Sequence, residues 1–325
     1  MLMMRDHITF PAKGSAASRD GFGKALVELG ERDPDVWVLT ADVSESTRTH
    51  WFAEKFPKRF IQVGVAEQNL AGVAAGIAAC GKKAFISAYG VFSPGRNWDQ
   101  LRVSVCYNDV PVVFHGSHTG VTVGPDGASH QALEDMAITR VIPNLVVMAP
   151  ADVEEVRKAT IAAHEMGKPA YIRTCREKMP AFTTPETPFK IGEANVYREG
   201  ADVTIIACGP MVYESLAAAE KLHTEGISCA VVDLHTIKPM DKKTIVEWAR
   251  KTGLVVTVEE HQVNGGMGSA VAEVLSSEYP VPVRRHGIYD RFCESGGAFE
   301  LLKKYKLDAD GIASVVRESM HMKKR

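Results

Sequence analysis

Short apolar runs alternate with helix-period segments along almost the whole chain, and this alternation leaves few folds open. The runs in the first half are "VWVL" (36–39), "RFIQV" (59–63), "KAFISA" (83–88), "PVVFH" (111–115), "LVVMA" (145–149) and "AYIRT" (170–174). Helical patterns lie between them at 18–31, 66–80, 95–107, 131–140 and 152–166. Continuous apolar strands separated by helices predict a parallel sheet covered on both faces. The pattern stops at "EKMPAFTTPETPFK" (177–190), which has no periodicity and reads as a linker. It then restarts, with strands at 203–207, 228–233, 254–260 and 281–286 and helices at 211–225, 241–252, 267–278 and 309–322. The sequence therefore predicts two three-layer α/β/α domains with mostly parallel sheets. They span 1–178 and 190–325 and are joined by a linker at 179–189.

Charge and cysteine usage narrow the function classes. Lys and Arg number 38 against 40 Asp and Glu, so no basic excess points to nucleic acid. No run of 18 apolar residues predicts a membrane span, and the start "MLMMRDHITFPAKGSAAS" lacks the apolar centre of a signal peptide. Cys80, Cys106, Cys175, Cys208, Cys229 and Cys293 form no CxxC pair, show no metal spacing and mostly sit in apolar runs. Reduced, buried thiols in the cytoplasm are the expectation.

Four segments could carry chemistry. "VGVAEQNLAGVAAGIAACGKK" (63–83) opens a helical pattern on Glu67, and no further charge appears until Lys82. A lone acid there either offsets the helix dipole or holds a proton, since an apolar setting favours a protonated carboxyl. "SAYGVFSPGRNWDQLR" (87–102) places Tyr89 and Phe92 just past a strand, as core or as a platform for a flat ring. "GSHTGVTVGPDGASHQALED" (116–135) follows another strand, where open α/β sheets bind ligands. It brings together His118, Asp126 and His130 among glycines, without zinc spacing. "NGGMG" (264–268) opens a helix and reads as a tight turn or an anion cradle.

Taken in this order, "GVAEQN", "SAYGVFSPGRNWDQLR", "GSHTGVTVGPDGASHQALED" and "AYIRTCRE" resemble the pyrimidine-binding domain of transketolases. "VVDLHTIKPMD" and "EEHQVNGGMGSAVAEVL" resemble the transketolase C-terminal domain. A full-length transketolase carries a further domain, with a motif beginning GDG, for the diphosphate of thiamine diphosphate and its magnesium. This chain has "RDG", "PDG" and "ADG" but no GDG, so it resembles the small subunit of a split transketolase.

The resemblance implies thiamine diphosphate as cofactor, with Mg2+ ligands on a partner subunit that carries the diphosphate domain. It also implies an α2β2 assembly that moves a two-carbon ketol unit from a ketose, by default a phosphate, to an aldose. Glu67 matches the glutamate that hydrogen-bonds the aminopyrimidine and so activates the thiazolium carbon. Tyr89, where the family usually has Phe, and Phe92 match the aromatics of the pyrimidine pocket. His118 and His130 match histidines near the substrate, His130 with a catalytic share, and Asp126 matches an acid on a sugar hydroxyl. Arg19, Ser46, His118 and Arg176 match positions that hold the sugar phosphate. Pro125 stands where the family often has Glu, and one extra residue lies between Phe92 and "DQLR".

Three rival readings carry different signatures. The beta subunit of a 2-oxoacid dehydrogenase decarboxylase component would have a His-Ser pair in place of "DGASHQALED". Deoxyxylulose-phosphate synthase is a single longer chain. A non-catalytic α/β binding module would not need Glu67, His118, Asp126 and His130 together. Arg176 could also pair merely with its neighbour Glu177.

Overall fold

The computed structural model describes residues 7–323; the first six residues and the last two, part of the terminal "KKR", lie outside the described residues. The predicted alternation folds into two α/β units. The first carries a seven-stranded sheet in the order Thr236–Lys238, Val146–Met148, Ala170–Arg173, Val112–Ser117, Lys83–Tyr89, Val36–Thr40, Phe60–Gln62. All of its neighbours pair in parallel except the edge strand Thr236–Lys238, which runs antiparallel and comes from the second half of the chain. The second sheet runs Val283–Ile288, Val255–Gln262, Val203–Ala207, Cys229–Asp233, Asn195–Arg198, and only the last strand is antiparallel. Both short antiparallel edges escape the periodicity, because three or four residues cannot establish a period.

Both faces of the first sheet are covered, as continuous apolar strands require. Phe22, Leu26 and Leu29 of helix Ser18–Arg32 meet Val156, Ala159 and Ala163 of helix Val153–Met166 on one face. On the other face, Leu70, Ala71 and Ala74 of helix Glu67–Ala79 enter a core that continues into the second unit through Ile206, Val232 and Trp248. The two sheets thus share a buried apolar seam.

Three expectations change. The helical pattern at 95–107 is a single α turn, Trp98–Gln100, running into a π-helix, Leu101–Tyr107. The pattern at 131–140 becomes helix only at Asp135–Arg140. Its first residues are held by others: the carbonyl of Ala132 accepts from Gly120 N–H at 2.9 Å and that of Leu133 from Gln262 N–H at 2.8 Å. The linker is not structureless, since Lys178–Pro180 pairs antiparallel with Ser15–Ala17. Beyond it, Asp152 caps helix Val153–Met166 and also accepts from the amides of Phe182 and Thr183 at 2.8 and 2.7 Å.

Candidate active site

The parallel register gathers the chemistry-bearing residues at one sheet edge. Tyr89 ends its strand opposite Ser117 of the neighbouring strand, and His118 follows directly. The rings of Tyr89 and His118 stack with centroids 4.2 Å apart. Phe92 lies 6.4 Å from Tyr89, and His130 turns its edge toward Phe92 at 5.4 Å. Four of the sequence-predicted residues therefore form one aromatic cluster, at the carboxyl ends of strands where ligands of such sheets bind.

Cations lie beside it. Arg19, in the first turn of its helix, donates from Nη1 to the Arg176 carbonyl at 2.9 Å and contacts His118 Nε2 at 3.3 Å. Arg176 donates from Nη1 to the Val123 carbonyl at 2.8 Å and to Asp126 at 3.1 Å. Its ionic partner is thus Asp126 and not Glu177. Burial and the two guanidiniums push His118 down to about 2, so its ring is neutral. With Nε2 turned to Arg19, an N–H donor, and Nδ1 2.8 Å from Ser117 Oγ, the proton belongs on Nδ1. His118 also has φ +57, a conformation that side chains other than Gly seldom adopt and that clusters at functional sites. Ser46 sits half-buried on the short helix Ser44–Thr47. The next residue past that helix, Arg48, pairs with Asp20, the chain neighbour of Arg19.

Glu67 is 3 % exposed at the first position of its helix. The sequence gives it no nearby charge, but the fold does: Arg96 Nη1 donates to its Oε2 at 2.7 Å. The same guanidinium lies over the Phe92 ring, 4.8 Å from the centroid. Asn97, wholly buried, donates to the Glu67 carbonyl at 3.2 Å and to Ser93 Oγ at 3.0 Å. Sequence reasoning misses Arg96 and Asn97, because nothing in the spacing signals that the turn after Phe92 folds back onto the helix start.

The second unit braces the loop that carries Asp126 and His130. Glu260 accepts from Thr122 through both N–H and Oγ1, at 3.2 and 2.8 Å. Arg173 donates to Asp135 at 2.9 Å and to the Glu260 carbonyl at 2.8 Å. Burial raises the Glu260 carboxyl to about 7, with Arg173 and Thr122 pulling the other way. Gly120, at φ +75, leaves no room for a side chain, because a Cβ there would sit 2.1 Å from the Glu260 carboxyl carbon. The "NGGMG" turn is an anion cradle for the protein's own acid: Glu259 accepts from the amides of Met267 and Gly268 at 2.7 and 2.8 Å.

Relatives match this chain over nearly its whole length. The family model "Transketolase, pyrimidine binding domain" matches residues 14–181, and "Transketolase, C-terminal domain" matches 192–312. A Methanocaldococcus jannaschii chain named for a transketolase C-terminal section is 44% identical over 93% of this chain and 96% of its own length. The 6-deoxy-6-sulfo-D-fructose transketolase subunit SqwH of Clostridium sp. (strain MSTE9) is 40% identical over 92% of this chain and 93% of its own. Among solved structures, a split-gene transketolase described as an inactive beta4 tetramer superposes with TM-score 0.87 at 46% identity, covering 96% of this chain and 100% of that one. With both domains matched in order and relatives of the same length, the chain belongs to the transketolase family.

Proposed function

We propose that this chain is the C-terminal subunit of a split, thiamine-diphosphate-dependent transketolase, moving a two-carbon ketol unit from a phosphorylated ketose to an aldose. The observation that carries the reading is a buried carboxylate and a flat aromatic platform sharing one sheet edge with two arginines. The donor set suits an aminopyrimidine: Phe92 and Tyr89 offer ring faces, and Glu67 offers an oxygen to a ring nitrogen. Already a flat N–H-bearing cation, Arg96, stacks on Phe92 while donating to Glu67. Bound there, thiamine diphosphate supplies the electron sink for carbon–carbon cleavage.

The chain's own residues hold and orient. With the cofactor bound, Glu67 would face the ring nitrogen and share a proton with it. Neutral His118 fixes Arg19 through Nε2, and Arg19, Arg176 and Ser46 receive the far anionic end of the sugar. Asp126 takes a sugar hydroxyl, and His130, half-buried at the rim, serves the oxygens at the reacting carbons.

Among the described residues no group of three or more His, Cys, Asp or Glu is placed to hold a metal ion, and magnesium is assigned to the partner. That partner, the diphosphate-binding subunit of an α2β2 assembly, covers the outer face of helix Glu67–Ala79. There Gly72 and Gly76 are exposed with nothing within 4 Å of an added Cβ; Val65, just before the helix, and Tyr107, at the end of the π-helix, are 72 % and 84 % exposed. Among the described residues no helix is long and apolar enough to cross a membrane. Five buried free thiols, with Cys80 exposed, suit a reducing cytoplasm.

Hydrogen–deuterium exchange at the thiazolium carbon, measured in the assembled complex, tests the reading. Glu67→Gln is expected to slow that exchange by about 10²–10⁴-fold, the usual share of a general acid–base group. Unchanged exchange removes Glu67 from this role.

A further inference from the structure

We propose that Arg96 occupies the pyrimidine's place in the subunit by itself and must leave it when the cofactor enters; this rests on the reading of Glu67 and Phe92 as the pyrimidine site. The guanidinium is planar, cationic and rich in N–H donors. It makes the two contacts that define the site, one edge to Glu67 at 2.7 Å and one face over Phe92 at 4.8 Å. An aminopyrimidine stacked on Phe92 and sharing a proton with Glu67 through a ring nitrogen would need the same ring face and the same carboxyl edge. The Phe92 face and the Glu67 Oε2 that Arg96 holds cannot serve both at once.

The arrangement suits a group that moves. The Arg96 side chain is 50 % exposed while Glu67 is 3 % exposed, so the cation can swing to water and the carboxylate cannot follow. Arg96 also sits at the end of a turn anchored from behind: its N–H donates to the Phe92 carbonyl at 2.8 Å, and Asn97 fixes the next position on Glu67. The backbone can stay in place while the side chain leaves. Until then Glu67 serves a guanidinium, which has no acceptor atom and no proton to relay. Arg96 is therefore a positioning residue that keeps the buried carboxylate paired in the partnerless subunit, and it gives up that role to the cofactor.

The test is binding of the isolated aminopyrimidine half of thiamine to the full-length chain, read by ligand-observed NMR titration. This readout needs neither the diphosphate site nor turnover. Arg96→Gln removes the charge and the planar fork while its amide can still donate to Glu67, and a thermal melt of the variant checks that it folds. The variant should bind the pyrimidine about 5–20-fold more tightly than the wild type, the size expected for losing one half-exposed ion pair and one cation–π contact. In Glu67→Gln/Arg96→Gln the gain should vanish. Equal binding by the wild type and Arg96→Gln, or a gain that survives Glu67→Gln, overturns the proposal and leaves the underlying reading standing. Failure of every variant to bind the pyrimidine overturns both.

Discussion

Arg176 donates from a single nitrogen, Nη1, to the Val123 carbonyl and to Asp126. That geometry orients its planar fork, which can give parallel hydrogen bonds to an anion. Arg176→Ala should lower kcat/KM for phosphorylated donors and acceptors by about 10–150-fold, taking one charge-assisted bond as ~1.5–3 kcal/mol. Glycolaldehyde, too short to reach the arginine, should be nearly unaffected. Because a sulfonate presents a similar triad of oxygens, the comparison should include a sulfonated ketose. Equal losses for short and long substrates would reduce Arg176 to a brace for Asp126. Residues on strand ends are legible in the sequence, since a parallel register carries Tyr89 to Ser117 without further choice. Arg96 is not, because its pairing depends on how one turn folds back across the 29 positions that separate it from Glu67.

At the scale of elements, Asp152 does more than a cap requires. Its Oδ1 accepts from Glu154 N–H, Glu155 N–H and Thr183 Oγ1, and its Oδ2 from the amides of Phe182 and Thr183. One carboxylate thus starts helix Val153–Met166 and pins the segment that joins the two units. Asp152→Ala should cost ~0.5–2 kcal/mol for the lost cap and a further ~1–3 kcal/mol for amides left buried without a partner. A fall of about 1.5–5 kcal/mol in urea unfolding is expected; a loss below ~1 kcal/mol would mean that water replaces the carboxylate. The proline-rich stretch 177–190 reads as linker because it lacks periodicity, and that pattern carries no trace of its tertiary hydrogen bonds.

For the whole molecule, the seam between the units is where charge is buried. Glu155 and Asp233 are fully buried neighbours, and Glu155 Oε1 and both Asp233 oxygens make no hydrogen bond among the described residues. Burial raises both carboxyls. The charge of Glu155 raises Asp233 further; at Glu155, Ala151 N–H and Lys158 act against the rise and Asp152 adds to it. Tyr197 and Asp152 also act on Asp233. A carboxyl whose affinity for protons is higher in the folded state stabilises it fully below the unfolded value, and that contribution is lost as pH rises through the folded value. His115, His118 and His235, lowered to about 3, 2 and 4 by burial, act in the opposite sense, adding stability as pH rises toward 6.5. The difference between wild type and Glu155→Gln isolates the carboxyl pair. Between about pH 5 and 8 the variant should gain stability relative to wild type, by up to ~1.4 kcal/mol per pH unit. Parallel pH profiles of stability for the two proteins across that range would show that folding does not raise the proton affinity of these carboxyls.

Periodicity by itself determined that this chain makes two parallel α/β sheets, since apolar runs of strand length between helices can be buried in no simpler way. The same pattern located the loops at strand ends where a ligand would sit, and the ordered motifs tied them to one family. Only tertiary structure decided what Glu67 faces, because a guanidinium distant in sequence meets it through a fold-back that leaves no repeat in the chain. Tertiary structure also decided that Thr236–Lys238 of the second half closes the first sheet, and that Glu260 of the second unit braces the loop of the first. Such contacts are set by which surfaces remain after each sheet is covered, and local spacing carries no record of that remainder.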